Sequence, residues 1–516
     1  MGRFYKIIKK YHKWLGAILA IFFIFFALSG IIMNHRGFFS RFDVNRKWLP
    51  KEYRYSNWNN AAIRGINEIG DDSLLAYGNI GIWLTNNDLS KFIDFNNGFP
   101  KGIDNRKVSD LHKTQSGDLF AATLFGLYRL SDQNNAWQKV QLPIDEERIV
   151  ALEELGDSLF VVSRSHILLG YGKKNYKEFS IIPLNGPDGA ENRVSLFRTI
   201  WTIHSGEIWG NAGRIIVDIG GIAMILLSLT GLFYFFAPNV LRRIKSKVNL
   251  KSKIKRANRW SFKWHLNVGI VASVLLLVVT VTGVFLRPPL LIPIASKTVK
   301  PIKGSRLDSK NFWNDKLRDL VYDSNRKVFL LATSDGIYFT PFDFSEPPFK
   351  APLQPPISVM GINLFWPEDD GNFAVASFSG LYKWNPYENS LWDYLTGKET
   401  EPVSTLSSPF GNLAITGGAI LPNGQKIFFD YNSGAFSTNS QFTIPTMPDE
   451  IIKESGMSLW NLALEVHTWR ILGFIISDFY ILVVPLAGIL GVIIIITGSL
   501  MWLIRYRLRK RRIHQK

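Results

Sequence analysis

HKWLGAILAIFFIFFALSG, residues 12–30, and HLNVGIVASVLLLVVTVTG, residues 265–283, decide how this chain is built. Each opens on a histidine (His12, His265) and places a glycine four residues on (Gly16, Gly269). Each closes on a hydroxyl–glycine pair 17 and 18 residues on, Ser29-Gly30 and Thr282-Gly283. A looser form occurs twice more. His204 precedes Gly210 and Thr230-Gly231, and His467 precedes Gly473 and Thr497-Gly498. The first offset is six in both, and the second is four residues longer in the later copy. One pattern on four apolar segments reads as a duplication.

Outward from these stretches, four segments are long and apolar enough to cross a bilayer: about 14–34, 211–237, 266–287 and 471–504. Pro485 lies inside the last and is a place for a kink. The formal charge of +18 is concentrated. Residues 1–13, 238–263 and 505–516 hold 22 of the 60 Lys and Arg and no acid, leaving 38 basic against 42 acidic residues elsewhere. That is the signature of cytoplasmic segments, so both termini and the 238–263 loop are expected inside. The basic stretches suit anionic lipid and give no argument for nucleic acid. The first apolar run is long, and no A-x-A site follows closely, so a retained anchor is expected rather than a cleaved signal. There is no cysteine, which excludes disulfides, thiolate catalysis, Cys-ligated clusters and covalently attached haem.

The expected organisation is two halves. Residues 1–35 hold the N-terminus and first span, 36–203 a first extracytoplasmic insert, 204–238 the second span and 239–263 the basic loop. Residues 264–288 form the third span, 289–460 the second insert, 461–504 the fourth span and 505–516 the basic tail. The inserts show short alternating runs broken by Gly, Asn and Asp, which read as strands. One signature recurs: Gly117 to Tyr128 (GDLFAATLFGLY) matches Gly371 to Tyr382 (GNFAVASFSGLY) in its glycines and its Leu-Tyr end. Weaker copies end at Gly81-Ile-Trp83 and Gly336-Ile-Tyr338, with degenerate ones near 156–168 and 422–436. This spacing is near that of propeller blades. Three blades per insert cannot close a ring alone, whereas six would. The expected fold is therefore a membrane α-helical bundle of four transmembrane helices with a two-fold internal repeat, plus an all-β extracytoplasmic domain built as a six-bladed propeller from both inserts. The 115–130 stretch resembles the propeller repeats of bacterial hybrid two-component sensors.

Ionisable residues in membrane segments are costly and functional by default. His12 and His265 fall at the cytoplasmic ends of the first and third spans. His204 and His467 fall at the outer ends of the second and fourth. The 18 residues from His12 to Gly30 correspond to about 27 Å of helix, so the two pairs are expected at opposite membrane faces. Paired histidines at two depths are what two haems need, and suggest an electron path across the membrane. The hydroxyl–glycine pairs suit close helix packing, and Gly16 and Gly269 leave room beside a histidine for a flat macrocycle. His35, with no counterpart in the third span, either replaces an outer ligand or sits at the interface. Arg214 and Arg470 are candidates for holding haem propionates. Against that, Arg214 and Asp218 are spaced to pair with each other, and snorkelling or structural ion pairing serves equally. Asp478 is also placed in the membrane. His112 and His166 fall in the blades and His514 in the tail, as ordinary residues.

Through Tyr11-His-Lys-Trp-Leu-Gly16, Ile203-His-Ser-Gly-Glu207 and Lys263-Trp-His-Leu-Asn-Val-Gly269, the chain resembles the PepSY-associated transmembrane family, which includes bacterial inner-membrane ferric-siderophore reductases. His12, Gly16, His204, Gly206, Glu207, His265 and Gly269 carry the family pattern. The fourth span departs from it, His467 being followed by Thr468-Trp469. The resemblance implies b-type haem and electron transfer across the bacterial inner membrane to an oxidised extracytoplasmic acceptor, a ferric iron chelate. No Gly-x-Gly-x-x-Gly follows a strand, so no nucleotide domain is visible. The donor is then a quinol or a separate cytoplasmic reductase docked on the basic loop. The competing expectation is a non-redox, membrane-anchored propeller that binds or senses a ligand. A transporter fits less well, because the intramembrane charges lie near the span ends rather than the midplane.

Overall fold

The computed structural model describes residues 3–514 except 71, 132, 146–147, 245–247, 359–360, 402–410, 440–441 and 443. Two compact units emerge: Met1–Phe39, Asn192–Asp308 and Leu459–Lys516 form one, and Ser40–Glu191 and Ser309–Ser458 the other.

The first unit is helical. Its main elements are α1 (Arg3–Asn34), α2 (Leu196–Ser205), α3 (Gly210–Arg243), α4 (Val248–Val284), α5 (Leu459–His467) and α6 (Tyr480–His514). Four spans are long and apolar enough to cross a membrane: Arg3–Asn34, Glu207–Arg243, Val248–Val284 and Arg470–Leu508. The 32 residues of α1 cover about 48 Å at 1.5 Å each, beyond the ~30 Å hydrocarbon core of a bilayer. The chain is a membrane protein. Helix α1 packs on α3 and α6, and α4 packs on the same two, which closes a four-helix bundle. Its centre is Leu19, Phe23 and Ala487, with Phe22, Phe26, Met224, Leu490 and Ile494 against them. Val271 and Val274 on α4 are 85% and 73% exposed, an arrangement suited to lipid rather than water as solvent.

The boundaries differ from the sequence expectation in three places. The basic 238–263 segment is mostly helix, because α3 continues to Arg243 and α4 begins at Val248. Lys and Arg are good helix formers, and hydropathy marks only the apolar part of such a helix. Residues 245–247 of that segment, and 515–516 of the tail, lie outside the described residues. The segment flanks once assigned to the inserts belong to the helical unit, where Val194–Ser195 pairs with Thr298–Val299. Finally, the second and fourth spans are broken at their start. His204 and His467 ride on the short helices α2 and α5, not on α3 and α6. Pro485 lies within α6, and the interruption falls before it.

The breaks explain the unequal spacing of the two looser repeats. After His204, Gly206 is left-handed (φ 77, ψ −5) and Gly210 takes φ 64, ψ −143 before α3. After His467, Trp469 occupies the same left-handed region (φ 58, ψ 10), and Ser477 takes φ 48, ψ −142 before α6. Thr230 lies 20 residues past Gly210, and Thr497 lies 20 past Ser477. Ser477, not Gly473, is thus the conformational equivalent of Gly210. The four extra residues are inserted between them.

The second unit is all-β. Among the described residues it holds six antiparallel sheets of three or four strands, three from each insert: 65–94, 108–140 and 149–182, then 317–350, 364–393 and 415–437, and a two-stranded sheet that pairs Asp43–Val44 with Met457–Ser458. Each recurring glycine signature lies at the turn between the second and third strands of a sheet. At Gly81, Gly126, Gly336 and Gly380 φ is positive and the third strand starts. The first strands neighbour one another in order. Gly65–Gly70 lies beside Val108–Lys113, then come Ile149–Leu155, Leu317–Asp323, Leu364–Pro367 and Ile415–Ile420, which meets Gly65–Gly70 again. Polar groups stitch these neighbours. Asp110 Oδ2 accepts the Leu152 N–H at 2.7 Å, Glu153 Oε1 accepts the Tyr322 N–H at 2.9 Å, and the Gly418 N–H donates to the Arg64 carbonyl at 3.0 Å. Buried Trp58, Trp137, Trp313 and Trp384 donate their indole N–H groups to the carbonyls of Pro445, Phe95, Asn185 and Leu353.

Glu153 gives this unit a pH dependence. Burial pushes its pKa up to about 8, the Tyr322 N–H opposes this, and the neighbouring Asp110 and Glu154 carboxylates add to it. Asp110 and Asp319 are raised as well, first by burial. A raised folded-state pKa means that the folded state holds the proton more tightly. Stability is therefore complete below the ordinary carboxyl range, near 4.5, and falls as pH rises toward 8. Each tenfold difference in proton affinity is about 1.4 kcal/mol. Denaturant unfolding followed by tryptophan fluorescence should show a midpoint that declines from pH 5 to 8. Glu153→Gln keeps an oxygen for Tyr322 and should flatten that decline; an unchanged slope would show that Glu153 is ionised throughout.

Candidate functional site

The bundle brings the four histidines together in two pairs. On α1 and α4, the His12 and His265 rings have centroids 6.2 Å apart. On α2 and α5, the His204 and His467 rings are 6.1 Å apart. His467 contacts Ser29, 17 residues beyond His12 on the same helix, so the pairs are separated by about 25 Å along α1.

Each ring is held by one of the hydroxyl–glycine pairs. His12 Nδ1 lies 3.1 Å from Thr497 Oγ1 and His467 Nδ1 2.9 Å from Ser29 Oγ. His265 Nδ1 meets the Leu227 carbonyl at 3.1 Å and Thr230 Oγ1 at 3.2 Å. His204 Nδ1 meets the Val279 carbonyl at 2.9 Å and Thr282 Oγ1 at 3.4 Å. The direction of these bonds can be deduced. Ser29, Thr230, Thr282 and Thr497 each donate their only hydroxyl proton to the carbonyl four residues back, at 2.5–2.7 Å. Their oxygens therefore only accept from the imidazole. Nδ1 carries the hydrogen in all four rings, which leaves Nε2 as the nitrogen open to a ligand. The adjoining glycines make room. A Cβ on Gly30, Gly231, Gly283 or Gly498 would stand 3.6, 3.2, 2.8 or 3.1 Å from the Cε1 of its histidine. A Cβ on Gly16 would meet nothing within 4 Å, and one on Gly269 only Leu227 Cδ2 at 3.6 Å.

The pairing of rings and sockets crosses the duplication. His12 and His204, from the first half, dock on α6 and α4; His265 and His467, from the second, dock on α3 and α1. The sequence reading assigned the hydroxyl–glycine pairs to helix packing and missed them as imidazole partners. The offset of 17 residues from a histidine, shared by Ser29 and Thr282, was the available signal.

The flanking charges are arranged otherwise than their spacing suggested. Arg214 Nη2 faces Glu207 Oε2 at 3.4 Å. Asp218 takes His35 Nε2 at 2.7 Å and the Asn34 amide at 2.8 Å, so the i, i+4 pairing of Arg214 with Asp218 is not formed. Glu207 sits in the short turn after Gly206 and reaches Arg214 from there. Arg470 is engaged by Glu465, with Nε to Oε2 at 2.5 Å. His35 is thereby held on α3, apart from the ring pairs. Asp478 sits in the turn before α6. In the β unit His112 binds Glu154 at 3.0 Å, and His166 lies in the turn after Ser163. The side chain of His514 lies outside the described residues.

Two imidazoles about 6 Å apart, each engaged through Nδ1 and open at Nε2, are a metal donor set. A metal–imidazole bond of about 2 Å on each side, with the radius of each ring, spans a 6 Å centroid gap. Among the described residues no group of three or more His, Cys, Asp or Glu side chains could hold a metal ion. The residues present suit a group that brings its own equatorial ligands, as haem does. The Nδ1 bonds supply the support that ligating histidines usually have.

Fold and site together define a membrane helical bundle with an inserted β unit and two facing histidine pairs. The chain belongs to the family described as PepSY-associated TM region, whose model matches residues 2–237 and again 171–505. No curated protein matches it. Among solved structures, it is similar to the extracellular domain of a hybrid two-component system from B. thetaiotaomicron. Identity there is 10%, over 73% of this chain and 32% of that one, with a TM-score of 0.35. It is also similar to the computationally designed Ika8 protein (7% identity, 74% of this chain and 98% of that one, TM-score 0.32). A third is PorZ, a surface component of the type-IX secretion system of Porphyromonas gingivalis (10%, 75% and 47%, TM-score 0.21).

Proposed function

We propose that this protein is a haem-containing oxidoreductase that passes electrons across the bacterial inner membrane to an extracytoplasmic acceptor, a ferric chelate of the siderophore class. The observation that carries the reading is the meeting of the four histidine rings in twos, 6.2 and 6.1 Å apart, each ring held through Nδ1. His12 and His265 would hold one b-type haem, and His204 and His467 the other. Bound there, haem supplies a one-electron carrier at each end of the membrane. The chain's own contribution is to fix the imidazoles through Nδ1 and to keep water out with the apolar core around Phe23 and Met224. Overall, one electron from a quinol or a cytoplasmic reductase converts Fe(III) in the chelate to Fe(II). The choice of acceptor rests on the family. The test is the absorption spectrum of the purified protein: reduced b-type Soret and α bands are expected. A colourless protein would end the redox reading and leave the β unit as a membrane-anchored binding module.

For that unit we infer a single six-bladed propeller. Its support is the order in which the first strands meet, from the sheet at 65–94 through to the sheet at 415–437 and back. The basic residues at 1–13, 238–263 and 505–516 support termini and α3–α4 connection on the cytoplasmic side, with the β unit outside. The chain lacks cysteine, so single cysteines report cleanly. At the exposed positions Ser252 and Lys398, an impermeant maleimide applied to right-side-out vesicles should label Lys398→Cys and spare Ser252→Cys. The reverse pattern would invert the topology.

A further inference from the structure

We infer that Arg287 is the anion-binding residue of the outer histidine pair and takes a carboxylate of the group held there, a propionate of the outer haem; this rests on the haem reading above. Arg287 follows α4 by three residues. The Phe285 N–H donates to the Thr282 carbonyl and the Leu286 N–H to that of Gly283, both at 3.2 Å, so the winding of the helix continues toward it. Four residues back, Gly283 is the position whose Cβ would press on His204 Cε1 at 2.8 Å. The guanidinium also lies within electrostatic reach of the His467 ring. Arg287 therefore stands one turn beyond the socket of one outer histidine and acts on the other.

Its side chain is partly buried and makes no hydrogen bond or ion pair among the described residues. A carboxylate within its reach, Glu465, is taken by Arg470, which sets a second cation beside the first. The duplication shows what is missing. Helix α1 packs on α3 as α4 packs on α6. Asn34 lies five residues past Ser29, and Arg287 five past Thr282; Asp218 lies twelve before Thr230, and Pro485 twelve before Thr497. In the first helix pair the Asn34 amide donates to Asp218 at 2.8 Å. In the second the same positions hold Arg287 and Pro485, so a cation has replaced the amide and the acid opposite it is gone. A charge drawn out of water is costly until it is paired. A haem brings carboxylates of its own, and a guanidinium receives a carboxylate through two parallel N–H bonds. Arg214 and Arg470, the arginines that the spacing first suggested for this task, are engaged by Glu207 and Glu465. Arg287 is the guanidinium left to meet the propionate.

The experiment compares Arg287→Gln and Arg287→Lys with the parent in the full-length protein, each also in a His12→Ala background that leaves the outer haem alone. Three quantities are read: haem retained on dilution, midpoint potential, and the propionate bending band of the resonance Raman spectrum. Arg287→Gln is expected to weaken retention of the outer haem by about tenfold or more, the worth of a hydrogen bond to a charged group, and to shift its propionate band. Its midpoint potential should fall, because a nearby cation disfavours the ferric charge. Arg287→Lys keeps the charge without the planar fork, so it should restore the potential, recover part of the retention and still shift the band. The inner haem should not respond. An unmoved propionate band with full outer retention in Arg287→Gln would overturn the inference while leaving the haem reading intact. Equal losses at both haems would do the same, as the mark of a structural role. If Arg287→Gln failed to accumulate, the propionate band of Arg287→Lys would decide. Intact haem with a several-fold higher half-saturating concentration of ferric citrate would assign Arg287 to the carboxylates of the acceptor, and so overturn it too. A parent protein without pigment would instead end the haem reading, and this inference with it.

Discussion

Alanine at His12 or at His265 should each remove the same half of the bound haem, and alanine at His204 or His467 the other half. The reason is geometric. The rings meet as two pairs, at 6.2 and 6.1 Å, about 25 Å apart along α1. Loss of one axial imidazole leaves its partner to hold the group alone, and no third histidine, carboxylate or thiolate among the described residues can substitute. The other pair lies several helical turns away and keeps its sockets. His35→Ala should cost little pigment, since its Nε2 is committed to Asp218. Pyridine haemochromogen content per mole of protein reads all five variants. If His12→Ala and His204→Ala together left half of the haem, they would belong to one site and the pairing would be wrong. Loss of as much haem in His35→Ala as in His204→Ala would place His35 among the ligands.

The pairing was legible from the sequence because the offset of 17 residues fixes depth along a straight helix. The exchange of sockets between halves was not. Spacing within a half shows that a histidine and a hydroxyl–glycine pair lie at opposite ends of one segment, and so cannot touch. Only packing of the four helices in a ring brings His12 to Thr497 and His467 to Ser29. Ser477 escaped notice for a related reason. A serine does not advertise the conformation that Gly210 makes obvious, and nearby Gly473 offered a match by count alone. Four of the glycine signatures of the inserts stand out because each marks a two-residue turn before Gly81, Gly126, Gly336 or Gly380, where φ > 0 is demanded locally; in the sheets at 149–182 and 415–437 the turn is a residue longer and the signature fades. Arg214 defeated the i, i+4 rule, which holds inside a helix; Glu207 belongs to a turn before α3 and reaches the guanidinium from there. Asp110 and Glu153 carried no sequence signal, since acidic residues on a strand ordinarily face water.

The β unit should fail to fold when its two inserts are separated. Residues 40–191 expressed alone are expected to give aggregated or molten material without a cooperative transition, as are residues 309–458. Co-expression of the two should recover a monomeric complex. Two of the hydrophobic clusters are shared across the inserts. In one, Ala151, Phe160, Val162 and Ile167 pack with Trp313, Leu317, Leu320, Phe329 and Leu331. In the other, Trp58, Ile63, Leu74 and Trp83 pack with Leu421, Ile427, Phe429 and Ile451. Each large apolar side chain is worth about 1.5–3 kcal/mol when fully buried. Exposing even half of that area on both seams outweighs the 5–15 kcal/mol by which a domain is normally stable. Backbone pairing adds to the loss: Asn60 N–H to Tyr431 at 2.8 Å and Leu317 N–H to Arg164 at 2.9 Å each cross from one insert to the other. So do the indole bonds of Trp58 and Trp313. Circular dichroism melting and sedimentation of the 40–191 fragment make the measurement. A monomer that unfolds sharply would mean that three sheets suffice, and that the inserts are two domains in contact rather than halves of one ring.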